Sequence, residues 1–253
     1  MNLSVPEERL ARSEFWYFDP AKWPVYRQVI EKAQALGIPF SMGGGFAQMT
    51  YTGWPREARD VDLFVLPPYR DKMIRITRDA GLDDYYDDKP YDREWIYRSA
   101  KGDVIVDLIW AMANKRAEVD GAWVERGPEI KVDGVRFRLI PPEELLWIKL
   151  YIVQRDRSDW PDALNLLYSR GPELDWRHVL TRLGADGSLL TGLLAVFSWL
   201  CPDRARQLPD WLWAESGLTL PQSSGGLDLS SSRADLLDSR PWLVPAMQMN
   251  GGE

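Results

Sequence analysis

The sequence predicts an α+β fold, in which a part that mixes helices and strands is followed by an all-helical part. Up to about residue 140, short apolar runs typical of strands alternate with repeats at helical spacing. Beyond that residue, every apolar repeat has helical spacing. We therefore predict a domain with an N-terminal extension over residues 1–140, a helical subdomain over 141–220 and a flexible, Ser/Gly-rich tail over 221–253.

The first part of the chain opens with an amphipathic repeat. Apolar positions at helical spacing predict a helix over residues 24–36, which Gly37 ends. The further elements predicted up to residue 140 are a strand over 38–42, a short helix over 46–51, a buried strand over 61–66, a helix over 69–80, a hairpin of strands 94–99 and 103–110, and strands 130–132 and 135–140 joined by an Asp-Gly turn.

The second part contains helices only. The first helix is predicted to open with residues 141–145 and to run to about residue 155. Three further helices are predicted over residues 160–168, 176–183 and 189–200. The last of these is the most apolar stretch, but it is too short to span a bilayer. The N-terminus also lacks the basic head and apolar core of a signal peptide. We therefore expect a cytoplasmic protein without a membrane segment.

Charge and composition exclude several function classes. The formal net charge is -7, and no run of lysines or arginines occurs, which argues against binding duplex DNA. The single cysteine excludes an intrachain disulfide. With one histidine as well, expected to be exposed at His178, zinc sites and Cys/His catalysis have little support.

Two aspartates stand at the head of the apolar run 63–66. In a strand, Asp60 and Asp62 would point to one face, and at 5 Å their repulsion is on the order of 3 kcal/mol at an effective dielectric constant of about 20. A divalent ion such as Mg²⁺ or Mn²⁺ would offset it. In the alternative, Asp60 caps the strand and Asp62 pairs with Arg56 or Arg59.

Three consecutive glycines precede this pair. Gly43, Gly44 and Gly45 allow a tight turn that presents backbone N–H groups to an anion, the more so if a helix starts just after them. A plain loop is the other interpretation.

A third acid lies inside an apolar strand. Asp107 is flanked by Val106 and Leu108, and an unpaired buried charge is expensive, so this position calls for a partner. The alternative is a solvated residue on an open face of the sheet.

Taken together, these motifs resemble those of the polymerase-beta-like nucleotidyltransferase superfamily, in its small bacterial antibiotic-modifying and toxin–antitoxin or abortive-infection branches. The matching segments are Gly44-Gly45-Phe-Ala47, Arg56-Glu-Ala-Arg-Asp60-Val-Asp62-Leu-Phe-Val and Val106-Asp107-Leu-Ile in the first part, and Pro142-Glu-Glu-Leu145, Lys149 and Arg157-Ser-Asp159-Trp-Pro-Asp162 in the second. The resemblance covers roughly residues 25–183. It departs from the family where Gly45 replaces a frequent serine and Ala58 a frequent threonine.

The resemblance implies a nucleotidyltransferase-fold mixed sheet flanked by helices. It also implies that Asp60 and Asp62 hold Mg²⁺ or Mn²⁺ on a nucleoside triphosphate such as ATP, and that Asp107 completes a metal site and helps deprotonate the acceptor. Gly44 and Gly45 would cradle phosphates. Further nucleotide contacts are assigned to Arg56, Arg59 and Lys149, although Lys149 could instead pair with Asp159 or Asp162.

The implied reaction transfers NMP from an NTP to a hydroxyl and releases pyrophosphate. The acceptor could be a small molecule, a protein or tRNA, with a wall formed by the helical part and Trp199, Trp211 and Trp213. The alternative is a protein of this fold that has lost catalysis and acts as a nucleotide-binding or regulatory partner.

Overall fold

The computed structural model describes residues 18–54, 59–223 and 233. The N-terminal extension up to residue 17 and most of the predicted tail lie outside the described residues. The described chain divides into two compact units. Unit 1 comprises residues 18–49 and 59–141, and unit 2 comprises residues 50–54 and the chain from residue 142 onward.

Unit 1 is built on one seven-stranded mixed sheet. Its strands are β1 (Phe40–Met42), β2 (Val61–Val65), β3 (Asp83–Asp84), β4 (Ile96–Lys101), β5 (Val104–Ile109), β6 (Glu129–Val132) and β7 (Val135–Leu139). The spatial order is β3-β4-β5-β2-β1-β7-β6. The pairs β1/β7 and β2/β5 are parallel and the other four pairs are antiparallel. The predicted mixed sheet is therefore confirmed.

Helices flank this sheet. They are α1 (Trp23–Ala35), α2 (Gly44–Thr52), α3 (Arg70–Asp79) and α4 (Gly121–Glu125). Helix α1 packs against α3 and β7, whereas α4 packs against β1, β2 and β7. The buried residues Tyr26, Val29, Ile30 and Ala33 recur at helical spacing on α1, so the stripe seen in the sequence is the one that enters the core.

Unit 2 is built from helices and contains no strand among its described residues. Its helices are α5 (Pro142–Leu150), α6 (Trp160–Arg170), α7 (Trp176–Leu183), α8 (Gly187–Leu200), α9 (Pro202–Ala205) and α10 (Asp210–Glu215). Helix α5 packs against α6, α7 and α8. Helix α8 contributes five apolar side chains to the core of unit 2, which are Leu190, Leu193, Leu194, Phe197 and Leu200.

Some predicted boundaries are wrong. Helix α2 begins at Gly44 rather than at residue 46, and α5 ends at Leu150 rather than near residue 155. Strand β3 and helices α4, α9 and α10 were not predicted, because two to six residues are too few to show a periodic pattern.

One described stretch has the length and hydropathy of a membrane span. It is Trp176–Leu200, which has 25 residues and contains an 18-residue window with a mean hydropathy of 1.4. This finding is weak evidence, because a core helix of a soluble protein passes the same test. In this structure a short 3-10 segment, Gly184–Asp186, separates α7 from α8 within that stretch.

Candidate active site

The acids predicted from the sequence come together on unit 1. Strands β2 and β5 are parallel neighbours, and Asp62 lies opposite Asp107 in their register. On the other side of β5, Arg98 of β4 lies opposite Asp107. Residues opposite one another in a ladder point to the same face of a sheet, so Asp62, Asp107 and Arg98 form a row across three strands. Asp60 lies one residue before β2.

Asp107 is buried, with 2% of its side chain exposed. Arg98 Nε donates to Asp107 Oδ1 at 2.7 Å, and Arg98 Nη2 donates to Asp107 Oδ2, so the guanidinium grips both oxygens. Burial raises the pKa of the Asp107 carboxyl, and the hydrogen bonds from Arg98 oppose that rise. The expected partner of this acid is therefore Arg98, and the solvated alternative is wrong.

Arg98 also reaches the other predicted acids. Its Nη2 lies 3.3 Å from Asp60 Oδ2. The hydrogen bond to Asp107 raises the pKa of Arg98, and the negative charges of Asp107, Asp60 and Asp62 add to that rise. In this structure Arg98 is thus a cation that pairs with Asp107 and Asp60 and is also affected by the charge of Asp62.

The glycine loop touches this cluster. Helix α2 starts at Gly44, and the N–H of Gly43 donates to the carbonyl of Asp62 at 2.9 Å. Gly44 has a φ of +55°, and a Cβ at this position would lie 1.6 Å from Asp62 Oδ2. The Asp62 carboxylate therefore lies directly against the start of a helix. The first N–H groups of a helix have no partner within it and favour anions.

Tyr26 of α1 is buried and close enough to Asp60 for its phenol to be affected by the carboxylate charge. Burial raises the pKa of Tyr26 to about 12, and the negative charge of Asp60 adds to the rise. The phenol is therefore neutral at physiological pH. It supplies no base to the site.

The donor chemistry of the site suits a hard divalent ion. Mg²⁺ binds carboxylate oxygens and is often held by one or two carboxylates together with substrate phosphates. Asp60 and Asp62 are partly exposed and meet that description. Within residues 18–54 and 59–223, however, no group of three His, Cys, Asp or Glu side chains could hold a metal ion by protein ligands alone. Asp60 and Asp62 would therefore hold such an ion only together with oxygens of the substrate phosphates.

The other predicted binding residues have different surroundings. Arg56 lies outside the described residues, and Arg59 is exposed. In unit 2, Lys149 Nζ lies 2.7 Å from Asp162 Oδ2 and 3.2 Å from Asp159 Oδ2. The ion pair named as the alternative for Lys149 is therefore present, and its contact with a nucleotide stays a prediction.

Two expectations for unit 2 are wrong. His178 is not freely exposed, because its Nε2 lies 2.6 Å from Oε1 of Glu144, a fully buried carboxylate that also accepts hydrogen bonds from Arg182. Trp213 is only 1% exposed and belongs to the core, so it cannot line an acceptor wall. Trp199 remains exposed.

Arg98 is the site residue that the sequence analysis missed. The predicted hairpin, with its turn at residues 100–102, would have paired residue 98 with residue 104. In the structure the turn is at residues 102 and 103, and this register places Arg98 opposite Asp107. An arginine facing a buried aspartate across a hairpin is a strong indication of an ion pair.

The chain was compared with models of known protein families. A family model described as "Nucleotidyl transferase of unknown function (DUF2204)" matches residues 23–184, which is more than half of the chain. The search of the curated proteins found no match.

The fold was also compared with solved structures. The antibiotic-resistance factor ANT(2'')-Ia is 19% identical with a TM-score of 0.44, over 71% of this chain and 92% of that chain. The lincosamide antibiotic adenylyltransferase LnuA, bound to lincomycin, is 17% identical with a TM-score of 0.42, over 56% and 94%. JHP933 from Helicobacter pylori is 13% identical with a TM-score of 0.39, over 76% and 79%.

Proposed function

The chain belongs to this DUF2204 family of nucleotidyl transferases, and from that premise we propose that it transfers NMP from an NTP to a hydroxyl group and releases pyrophosphate. An oxygen of the acceptor forms a bond to the α-phosphorus. The bond from that phosphorus to the bridging oxygen of the β-phosphate breaks, and the hydroxyl proton leaves to solvent. Membership in the family confirms the resemblance to nucleotidyltransferases found in the sequence and identifies the protein as an enzyme.

One observation carries this proposal. Three separate stretches of the chain meet at one place in unit 1. They carry the glycine start of α2, the pair Asp60 and Asp62, and Asp107. A purely structural sheet has no need for three acids and an arginine on neighbouring strands. The presence of all three acids in this chain favours an active enzyme over the non-catalytic alternative.

In this proposal the carboxylates bind the metal ion and the start of α2 binds the phosphates. Asp60 and Asp62 would hold Mg²⁺ or Mn²⁺, which when bound neutralises phosphate charge and polarises the α-phosphoryl group. Helix α2 starts at Gly44, and the backbone N–H groups at Gly44 and Gly45 would receive the β- and γ-phosphates. Arg59, which is exposed beside Asp60, is a further candidate for phosphate contact.

The acceptor is assigned only by class. The net charge of -7 favours a cationic small molecule or a protein over tRNA, because like charge repels the tRNA backbone. Both the antibiotic-modifying and the toxin–antitoxin types of enzyme meet this description. We place the reaction in the cytoplasm, where ATP and the other NTPs are available.

A labelling experiment tests the proposed function. The purified chain is incubated with each [α-³²P]NTP and Mg²⁺ together with aminoglycosides, lincosamides, a cell protein extract or total tRNA, and the products are separated. We expect label on one acceptor class, with pyrophosphate released in equal amount, and none with Asp62→Asn. Absence of label from every class, with a folded protein, would contradict the proposal.

A further inference from the structure

The pairing of Arg98 with Asp107 leaves Asp107 little freedom. Both of its oxygens accept hydrogen bonds from one guanidinium, and the side chain is almost fully buried. A general base or a metal ligand needs an oxygen that substrate or metal can approach. In this structure the accessible part of the pair is Arg98, of which 34% of the side chain is exposed.

Arg98 is held at its backbone as well as at its tip. Its N–H donates to the hydroxyl of Tyr91 at 3.0 Å, and that hydroxyl lies 3.0 Å from Asp84 Oδ1. The β4–β5 ladder fixes the strand on the other side. A side chain anchored in this way keeps its guanidinium beside Asp60, where Nη2 is 3.3 Å from Oδ2.

The charges in the row indicate how many metal ions it can take. Asp60 and the row of Asp62, Asp107 and Arg98 together carry three carboxylates and one guanidinium. These side chains leave two formal negative charges, which match the charge of a single divalent ion. Without Arg98, the same side chains would carry three formal negative charges.

We propose that Arg98 is a fixed cation of the nucleotide site, that the protein holds one divalent ion on Asp60 and Asp62, and that Asp107 is a positioning residue that acts through Arg98. The exposed edge of the guanidinium would contact triphosphate oxygens, to which its planar fork is suited. This inference rests on the proposed function, and it replaces the role of metal ligand and base that the resemblance implies for Asp107.

Titration of the full chain with Mn²⁺ alone, followed by the electron paramagnetic resonance of free Mn²⁺, tests the proposal without turnover. The wild type is expected to bind one Mn²⁺, and Asp62→Asn to weaken it by more than about tenfold. The charge-neutral double variant Arg98→Met/Asp107→Leu should change the affinity by less than about fivefold, because no metal ligand is lost.

Two further variants separate the charge of Arg98 from its shape. Arg98→Met alone removes the positive charge next to Asp60 and is expected to bind its one Mn²⁺ more tightly than the wild type does. Arg98→Lys keeps the charge and is expected to bind one Mn²⁺, as the wild type does. Circular dichroism identifies any variant that does not fold, and Arg98→Lys keeps the test valid if Arg98→Met fails to fold.

The outcomes distinguish this inference from the proposed function. A loss of affinity in the double variant as large as that in Asp62→Asn, or two Mn²⁺ ions on the wild type that become one in the double variant, would show that Asp107 is a metal ligand. That result overturns the inference and leaves the proposed function in place. A folded wild type that binds no Mn²⁺ would overturn the inference and the metal-dependent form of the proposed function together.

Discussion

At the scale of single residues, the contact between Gly44 and Asp62 ties the glycine loop to the acids. The sequence analysis predicted both groups but not that they touch, because a contact between the start of α2 and β2 depends on the pairing of β1 with β2. It also predicted that Asp107 needs a partner, from the cost of an unpaired buried charge. Identifying that partner required the register of the hairpin.

A side chain at residue 44 should be poorly tolerated. In Gly44→Ala the new Cβ would overlap Asp62 Oδ2, and the positive φ adds backbone strain. We expect the free energy of unfolding to fall by at least about 2 kcal/mol in a denaturant titration.

The neighbouring glycine provides the matched control for stability. A Cβ at Gly45 meets nothing within 4 Å, and the residue lies in the first turn of α2. Gly45→Ala is therefore expected to be neutral or to stabilise the protein by up to about 1 kcal/mol. Equal losses in the two variants would mean that the contact with Asp62 is not what requires glycine at residue 44.

At the scale of elements, the long periodic helices and the two hairpins were predictable, whereas their ends and the shortest elements were not. Helix α5 shows why. Its apolar pattern continues past Leu150, but residues 151–159 form a tight connection in which the N–H of Asp159 donates to the carbonyl of Ile152. Hydrogen bonds local to the connection compete with the helix, and hydrophobic periodicity does not report them.

The ion pairs of Lys149 hold α5 to the start of α6. Lys149 is 6% exposed, and its partners Asp159 and Asp162 lie just before and within the first turn of α6. Burial alone would raise the pKa of Asp159. The positive charges of Lys149 and Arg157 lower it by more than burial raises it, so the pKa lies below its usual range.

This arrangement predicts a dependence of stability on pH. A carboxyl with a lowered pKa contributes stability above its unfolded value of about 3.9, and the contribution is lost as the pH falls through the folded pKa. Asp159→Asn should therefore lower the free energy of unfolding by about 1–3 kcal/mol at pH 7. The difference from the wild type should shrink below about pH 4, as followed by denaturant titration at several pH values.

Asp156 is the control for this prediction. It also pairs with an arginine and has a lowered pKa, but the pair with Arg155 is exposed. Asp156→Asn should leave the unfolding transition unchanged. If the difference between Asp159→Asn and the wild type persisted unchanged at low pH, the charge on Asp159 would not be its source.

At the scale of the whole molecule, the family match ends before the helical core does. It covers residues 23–184, whereas α8 begins at residue 187 and supplies five buried apolar side chains to unit 2. The α+β part and the helical part were predictable from periodicity. The acceptor was not, because the surface that selects it depends on side-chain positions that no motif encodes.

Shortening the chain tests whether α8 is integral to unit 2. A chain ending at residue 184 loses apolar burial on the order of 10 kcal/mol, which is comparable to the stability of a whole domain. We expect unit 2 to lose cooperative thermal unfolding and to become sensitive to limited proteolysis. A chain ending at residue 233 should keep both properties. Cooperative unfolding of unit 2 in the shorter chain would contradict this role of α8.

The central claim is that Asp60 and Asp62 form a metal-dependent nucleotide site. The most direct measurement is isothermal titration of the protein with each NTP, with and without Mg²⁺, beside the Asp60→Asn/Asp62→Asn variant. We predict binding of at least one NTP that requires Mg²⁺ and is weakened by more than about tenfold in the variant. Equal binding by the folded variant, or no binding of any NTP by the folded wild type, would contradict the claim.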